Sequence, residues 1–140
     1  MSGIEVLGVA VVAAVVVAAL LRWKNGRFSA RPATDDRARL TTSDLDAPLG
    51  ERATLVQFSS AFCAPCRATR QVLTQVVELV PGVTTVEIDA ESQLDLVRRL
   101  EVLRTPTVLV LDADGVVVNR ASGAPTRDQV LVALDATLTG

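Results

Sequence analysis

The sequence predicts an α/β domain, a mixed four-stranded sheet flanked by helices, preceded by one membrane-spanning helix. Three observations carry this. Strand-like and helix-like apolar periods alternate through residues 54–140 in the order β-α-β-α-β-β-α. A helix between the first two strands calls for a parallel crossover, whereas Asp114-Gly115 between two apolar runs is a hairpin signal, so parallel and antiparallel pairs share one sheet. Ile4–Leu21 reads IEVLGVAVVAAVVVAALL, with Glu5 as its one charge. The expected organisation is an anchor over 1–24, a linker over 25–42 and a folded domain over 43–140.

The anchor comes first. Its eighteen residues span ~27 Å as a helix, close to the ~30 Å hydrocarbon core, and its eleven Leu, Ile and Val residues favour insertion by roughly 3–7 kcal/mol. A helix buried in a soluble protein would show a polar stripe, which this one lacks. A cleaved signal peptide would carry a basic n-region and an Ala-x-Ala site, and neither is present. The segment is therefore expected to be an uncleaved single-pass anchor. Arg22, Lys24, Arg27, Arg31 and Arg37 all follow the span, so the positive-inside rule puts the domain on the cytoplasmic face; the alternative is an extracytoplasmic domain. Residues 25–42 are rich in Arg, Ala, Asp and Thr, and read as a linker that lets the domain reach clients near the membrane surface.

The domain's elements follow in order. A short helical turn is expected at Thr42–Asp46. Thr54–Ser59 is a strand, and Cys63–Leu79 a helix with Val72, Leu73, Val76, Val77 and Val80 on one face, ending at Pro81-Gly82. Thr84–Asp89 is a second strand. Ser92–Leu100 is a helix with Leu94, Leu96, Val97 and Leu100 inward. Thr107–Leu111 and Val116–Arg120 form the hairpin, and Ser122-Gly123-Ala124-Pro125 turns into a last helix with Thr126 and Gln129 as its capping box.

Cys63 and Cys66, the two cysteines of the chain, lie in Phe62-Cys63-Ala64-Pro65-Cys66-Arg67 between a strand and a helix. A helix N-terminus leaves N–H groups unpaired and carries partial positive charge, which favours the thiolate that attacks disulfides. Cys63 is thus the expected nucleophile, and Cys66 is placed to resolve the mixed disulfide. Pro65 suits the first turn, where a missing N–H costs nothing. Structural zinc needs about four Cys or His ligands, and the chain has two cysteines and no histidine. An iron–sulfur cluster fails on the same count. A purely structural bridge would gain little from so short a loop. A C-x-x-C pair in this context reads as a redox site.

Composition narrows the partners. Residues 1–42 hold six Lys or Arg against three Asp or Glu, and residues 43–140 hold eight against thirteen, so the domain is mildly acidic and nucleic acid is not an expected partner. The chain lacks a Gly-x-Gly-x-x-Gly motif, so no nicotinamide cofactor is expected. The reversible Cys63–Cys66 disulfide with an external electron donor would suffice.

The ordered set Leu55-Val56-Gln57-Phe58, Cys63-Ala64-Pro65-Cys66, Thr105-Pro106-Thr107, Asp114-Gly115 and Gly123 resembles the thioredoxin family over about residues 50–139. The resemblance implies a thioredoxin-like fold, a cis-proline at Pro106 against the disulfide, and backbone pairing of an extended substrate segment beside it, with Thr105 tuning Cys63. It also marks departures: Gln57 where a buried acid would help deprotonate the resolving cysteine, Thr85 where a lysine would lie near it, Phe62 for tryptophan and Ala64 for glycine. Two functions are then open. One is a monomeric, membrane-tethered thiol–disulfide oxidoreductase acting on protein disulfides. The other is a non-catalytic adaptor that uses the fold to dock a membrane partner.

Overall fold

The computed structural model describes residues 2–24, 26–30 and 39–139. Helix α1 (Gly3–Lys24) is exposed along its whole length, with a mean hydropathy of 2.8 over its best window. It is long and apolar enough to cross a membrane. Its start is capped by Glu5, whose carboxylate accepts the Ser2 N–H at 3.1 Å.

The domain follows as β1 (Phe28–Ala30), α2 (Thr42–Leu45), β2 (Ala53–Ser59), α3 (Ala64–Leu79), β3 (Val83–Asp89), α4 (Leu94–Arg99), β4 (Thr107–Asp112), β5 (Val117–Ser122) and α5 (Arg127–Thr139). The sheet runs β1-β5-β4-β2-β3, with β2 and β3 parallel and the other pairs antiparallel. The mixed four-stranded sheet is thus present, and β1 adds a short edge strand to it. All seven residues of β2 are buried, as a central strand covered on both faces requires.

The period of two along β2 sorts the core into two layers. Ala53 and Leu55 pack with Leu73 and Val76 of α3 and with Val130, Ala133 and Leu134 of α5. Val56 and Phe58 face the other way, against Leu45, Leu96 and Leu100 of the α2 and α4 side. Burying each of the Val, Leu and Phe side chains among these contributes roughly 1.5–3 kcal/mol. Gln57, next in phase after Leu55, is consequently aimed at α3.

Two expectations change. The stretch 25–42 is not linker throughout: Phe28–Ala30 pairs with Ala121–Asn119. Leu40 is 1% exposed and donates its N–H to the Gly115 carbonyl at 2.8 Å, so the chain rejoins the core before residue 43. Residues 31–38, the middle of that stretch, lie outside the described residues. Leu94 faces solvent, because Asp89 draws the preceding residues into a turn. Its carboxylate accepts from Glu91 N at 2.9 Å and Ser92 Oγ at 2.8 Å, and α4 starts only at Leu94. Those bonds, with Ser92 foremost, hold the Asp89 carboxyl below its ordinary range.

The hairpin forms where Asp114-Gly115 predicts it. Gly115 has φ +84, and a Cβ there would stand 2.2 Å from the Leu40 carbonyl oxygen. The capping box of α5 is also present, with Gln129 N donating to Thr126 Oγ1 at 3.2 Å and Thr126 N to Gln129 Oε1 at 2.9 Å.

Candidate active site

β2 ends at Ser59, and a short loop delivers Cys63 to the N-cap of α3, with Ala64 and Pro65 in the first turn. Cys63 Sγ accepts the Cys66 N–H at 3.2 Å, so this sulfur occupies the place of a capping side chain at the positive end of the helix. Cys63 and Cys66 form a disulfide of 2.08 Å. Their accessibilities differ: Cys66 is 2% exposed, whereas Cys63 is partly exposed. An incoming sulfur can therefore reach Cys63, while Cys66 is shielded beneath it.

Phe62, just before the cap, has φ 59 and a fully exposed ring. A bulky residue in the left-handed region is uncommon, and here it turns the ring outward at the rim of the site. A shallow cleft of about 460 Å³ lies beside it, lined by Ser60, Phe62, Cys63, Cys66, Arg67 and Arg70.

The Thr105–Pro106 peptide bond is cis. Thr105 is joined to the redox loop by an Oγ1···Oγ contact of 2.7 Å with Ser60, and the Pro106 carbonyl accepts the Gly123 N–H at 2.8 Å. The Thr105 turn and the cysteine loop are therefore linked at one end of the sheet, where β2 ends and β4 begins. Exposed Leu103 lies on the approach to this turn, in a concavity of about 860 Å³ that also includes Arg104 and Ser122.

Gln57 is 1% exposed beneath α3. Its Nε2 donates to the Cys66 carbonyl at 2.7 Å and to Ser59 Oγ at 3.0 Å. Ser59 Oγ in turn donates to Glu87 Oε2 at 3.2 Å, and Glu87 holds Arg70 in a two-pronged pair at 2.7 and 3.0 Å. The residue level with Gln57 on β3 is Glu87; Thr85 lies level with Leu55. Ser59, Ser60 and Glu87 thus belong to the site's framework although no motif marks them. Only the parallel register of β2 and β3 brings Glu87 to Ser59. Glu91 belongs there too, accepting the Ala61 N–H at 3.2 Å.

Comparisons with known proteins agree with this geometry. The family model described as Thioredoxin matches residues 38–136. Mitochondrial thioredoxin-3 of Saccharomyces cerevisiae is 30% identical over 70 residues, covering 50% of this chain and 54% of that protein. The chain therefore spans about half the length of that relative. Thioredoxin C-2 of Corynebacterium nephridii is 29% identical over 103 residues, covering 73% of this chain and 90% of its own. Among solved structures, chloroplastic thioredoxin z superposes with a TM-score of 0.58 at 25% identity, over 64% of this chain and 81% of that one. A mutant thioredoxin from Halobacterium salinarum gives 0.62 at 20% identity, over 72% of this chain and 88% of that one, a likeness of fold alone.

Proposed function

The chain belongs to the thioredoxin family, and we propose that it is a thiol–disulfide oxidoreductase, tethered to a membrane by α1, that reduces or exchanges protein disulfides through its Cys-Ala-Pro-Cys dithiol. The observation that carries this reading is the unequal pair: a reachable Cys63 sulfur at a helix N-cap, bonded to a shielded Cys66.

In the reducing direction, the Cys63 thiolate attacks one sulfur of a substrate disulfide. A mixed disulfide forms, and the other substrate sulfur leaves as a thiolate that takes a proton from solvent. Cys66 then loses its proton and attacks the Cys63 sulfur. The intramolecular disulfide closes, and the second substrate sulfur is released. Two electrons have passed to the substrate, and an external dithiol donor must return them. The Cys66 N–H supports the attacking sulfur, and the turn at Thr105-Pro106 holds the substrate backbone. The sulfur pair is the only redox group this cycle uses. We place the domain on the cytoplasmic face, as a monomer.

Insulin reduction by the full chain in detergent, with dithiothreitol as donor, tests the reading. The native chain is expected to accelerate precipitation of the insulin B chain, and Cys63→Ser to abolish the acceleration. Equal rates for the two would favour the adaptor alternative.

A further inference from the structure

The end of the sheet that carries the cysteines is also the end at which the membrane helix enters the domain. Gly26 lies two residues beyond Lys24, the last residue of α1, so the two Cα atoms are at most about 7.6 Å apart. Gly26 is buried and donates its N–H to the Ser122 carbonyl at 2.9 Å. Ser122 is level with Thr107 on β4, and Gly123 is bonded to Pro106. β1 then runs away from this end, from Phe28 beside Ala121 to Ala30 beside Asn119. Across the sheet the order is β1, β5, β4, β2, so three strand spacings, about 14 Å, separate the entry point from the strand that leads to Cys63.

Gly26, on the domain side of the junction, is closely packed. A Cβ on Gly26 would lie 2.4 Å from the Ala124 carbonyl oxygen, so the backbone there is pressed onto the loop that follows β5. The Arg27 guanidinium sits 4.3 Å from the centre of the Trp23 ring, a contact that joins the last turn of α1 to the start of β1. Trp23, Arg22 and Lys24 are residues of the headgroup level. With α1 in a bilayer, the redox end of the sheet would be the end next to the membrane surface, because α1 joins the domain there. Two of the domain's exposed large apolar side chains, Phe62 and Leu103, are at that same end.

Resting on the membrane-tethered oxidoreductase reading, we infer that the substrates are disulfides in segments directly flanking the membrane spans of other membrane proteins. Disulfides held far above the surface would be poor substrates for a site held beside it.

The test uses the full chain in phosphatidylcholine–phosphatidylglycerol vesicles with dithiothreitol as donor. Two synthetic single-span peptides serve as substrates. One carries a disulfide loop directly after its span, and the other carries the same loop on a rigid helical spacer of ~60 Å. The native chain is expected to reduce the proximal loop about tenfold faster or more, since only that loop shares its layer at high effective concentration. A flexible Gly–Ser segment inserted between Lys24 and Gly26, or Gly26→Val, is expected to bring the two rates together while soluble insulin is reduced at the native rate. Equal rates for the native chain on both peptides, or a preference that the insertion leaves unchanged, with insulin still reduced, would overturn the inference and leave the oxidoreductase reading standing. Loss of insulin reduction as well would sink both.

Discussion

Gln57 places a neutral amide beneath the first turn of α3, and its two donated hydrogen bonds hold the Cys66 carbonyl and Ser59 in place. A glutamine cannot take the Cys66 proton, so that proton must pass to water, and resolution of the mixed disulfide is expected to be slow. Gln57→Asp supplies an acceptor but deletes the bond to the Cys66 carbonyl, at an expected cost of about 1–3 kcal/mol in stability. Release of a trapped mixed disulfide near neutral pH should nonetheless speed up in the folded variant, as followed by stopped flow. An unchanged release rate would remove proton transfer as the limiting step. The unequal exposure of the two sulfurs gives a second outcome at this scale. A limiting dose of iodoacetamide on the reduced protein should label Cys63 before Cys66, and peptide mapping that finds the reverse order would exchange their roles. The cysteine pair stands out in the sequence because its spacing is local, whereas Pro106 was marked only by the family resemblance. Glu87 was not legible, since a carboxylate in an alternating strand looks solvated until the register with β2 is known.

At the scale of elements, α2 shows how little is needed to fix a short helix. Thr41 Oγ1 accepts the Asp44 N–H at 3.3 Å, and Asp44 Oδ2 accepts the Thr41 N–H at 2.8 Å. Arg99, in the last turn of α4, adds an ion pair to Asp44 at 3.1 Å, so one carboxylate closes the cap and joins two helices. Burial alone would raise the Asp44 carboxyl, but the Thr41 and Arg99 bonds outweigh it and hold the group below its ordinary value of 3.8. A carboxyl lowered on folding stabilises the protein above its unfolded pKa, and the benefit fades as pH falls through the folded one. Asp44→Ala should therefore cost about 1 kcal/mol at pH 7. In urea titrations the gap between the two proteins should narrow below pH 3.8. A gap that stays constant down to acid pH would mean the charge contributes nothing. Periodicity located the helices and strands of the core because each buries one face. It missed β1, three residues long, whose pairing with β5 depends on a partner far along the chain. It also turned Leu94 inward, because the Asp89 turn that delays α4 is made by polar side chains.

For the whole molecule, the order of charge along the first forty residues is the argument for the cytoplasmic placement proposed above. Arg22, Lys24, Arg27, Arg31 and Arg37 follow the apolar span, while the one charge at its other end is Glu5. Translocating the domain would carry that basic cluster across the bilayer, which the positive-inside rule disfavours. Because the chain has no cysteines other than Cys63 and Cys66, a thiol reagent reports the domain's location directly. Spheroplasts expressing the full chain are reduced with a permeant dithiol, washed, and treated with a maleimide that cannot cross membranes. Cys63, the partly exposed sulfur, should be labelled only after lysis. Labelling in intact spheroplasts would reverse the orientation. The docked geometry at Gly26 would then present the same site to disulfides on the outer face of the membrane, and a role in extracytoplasmic thiol handling would follow.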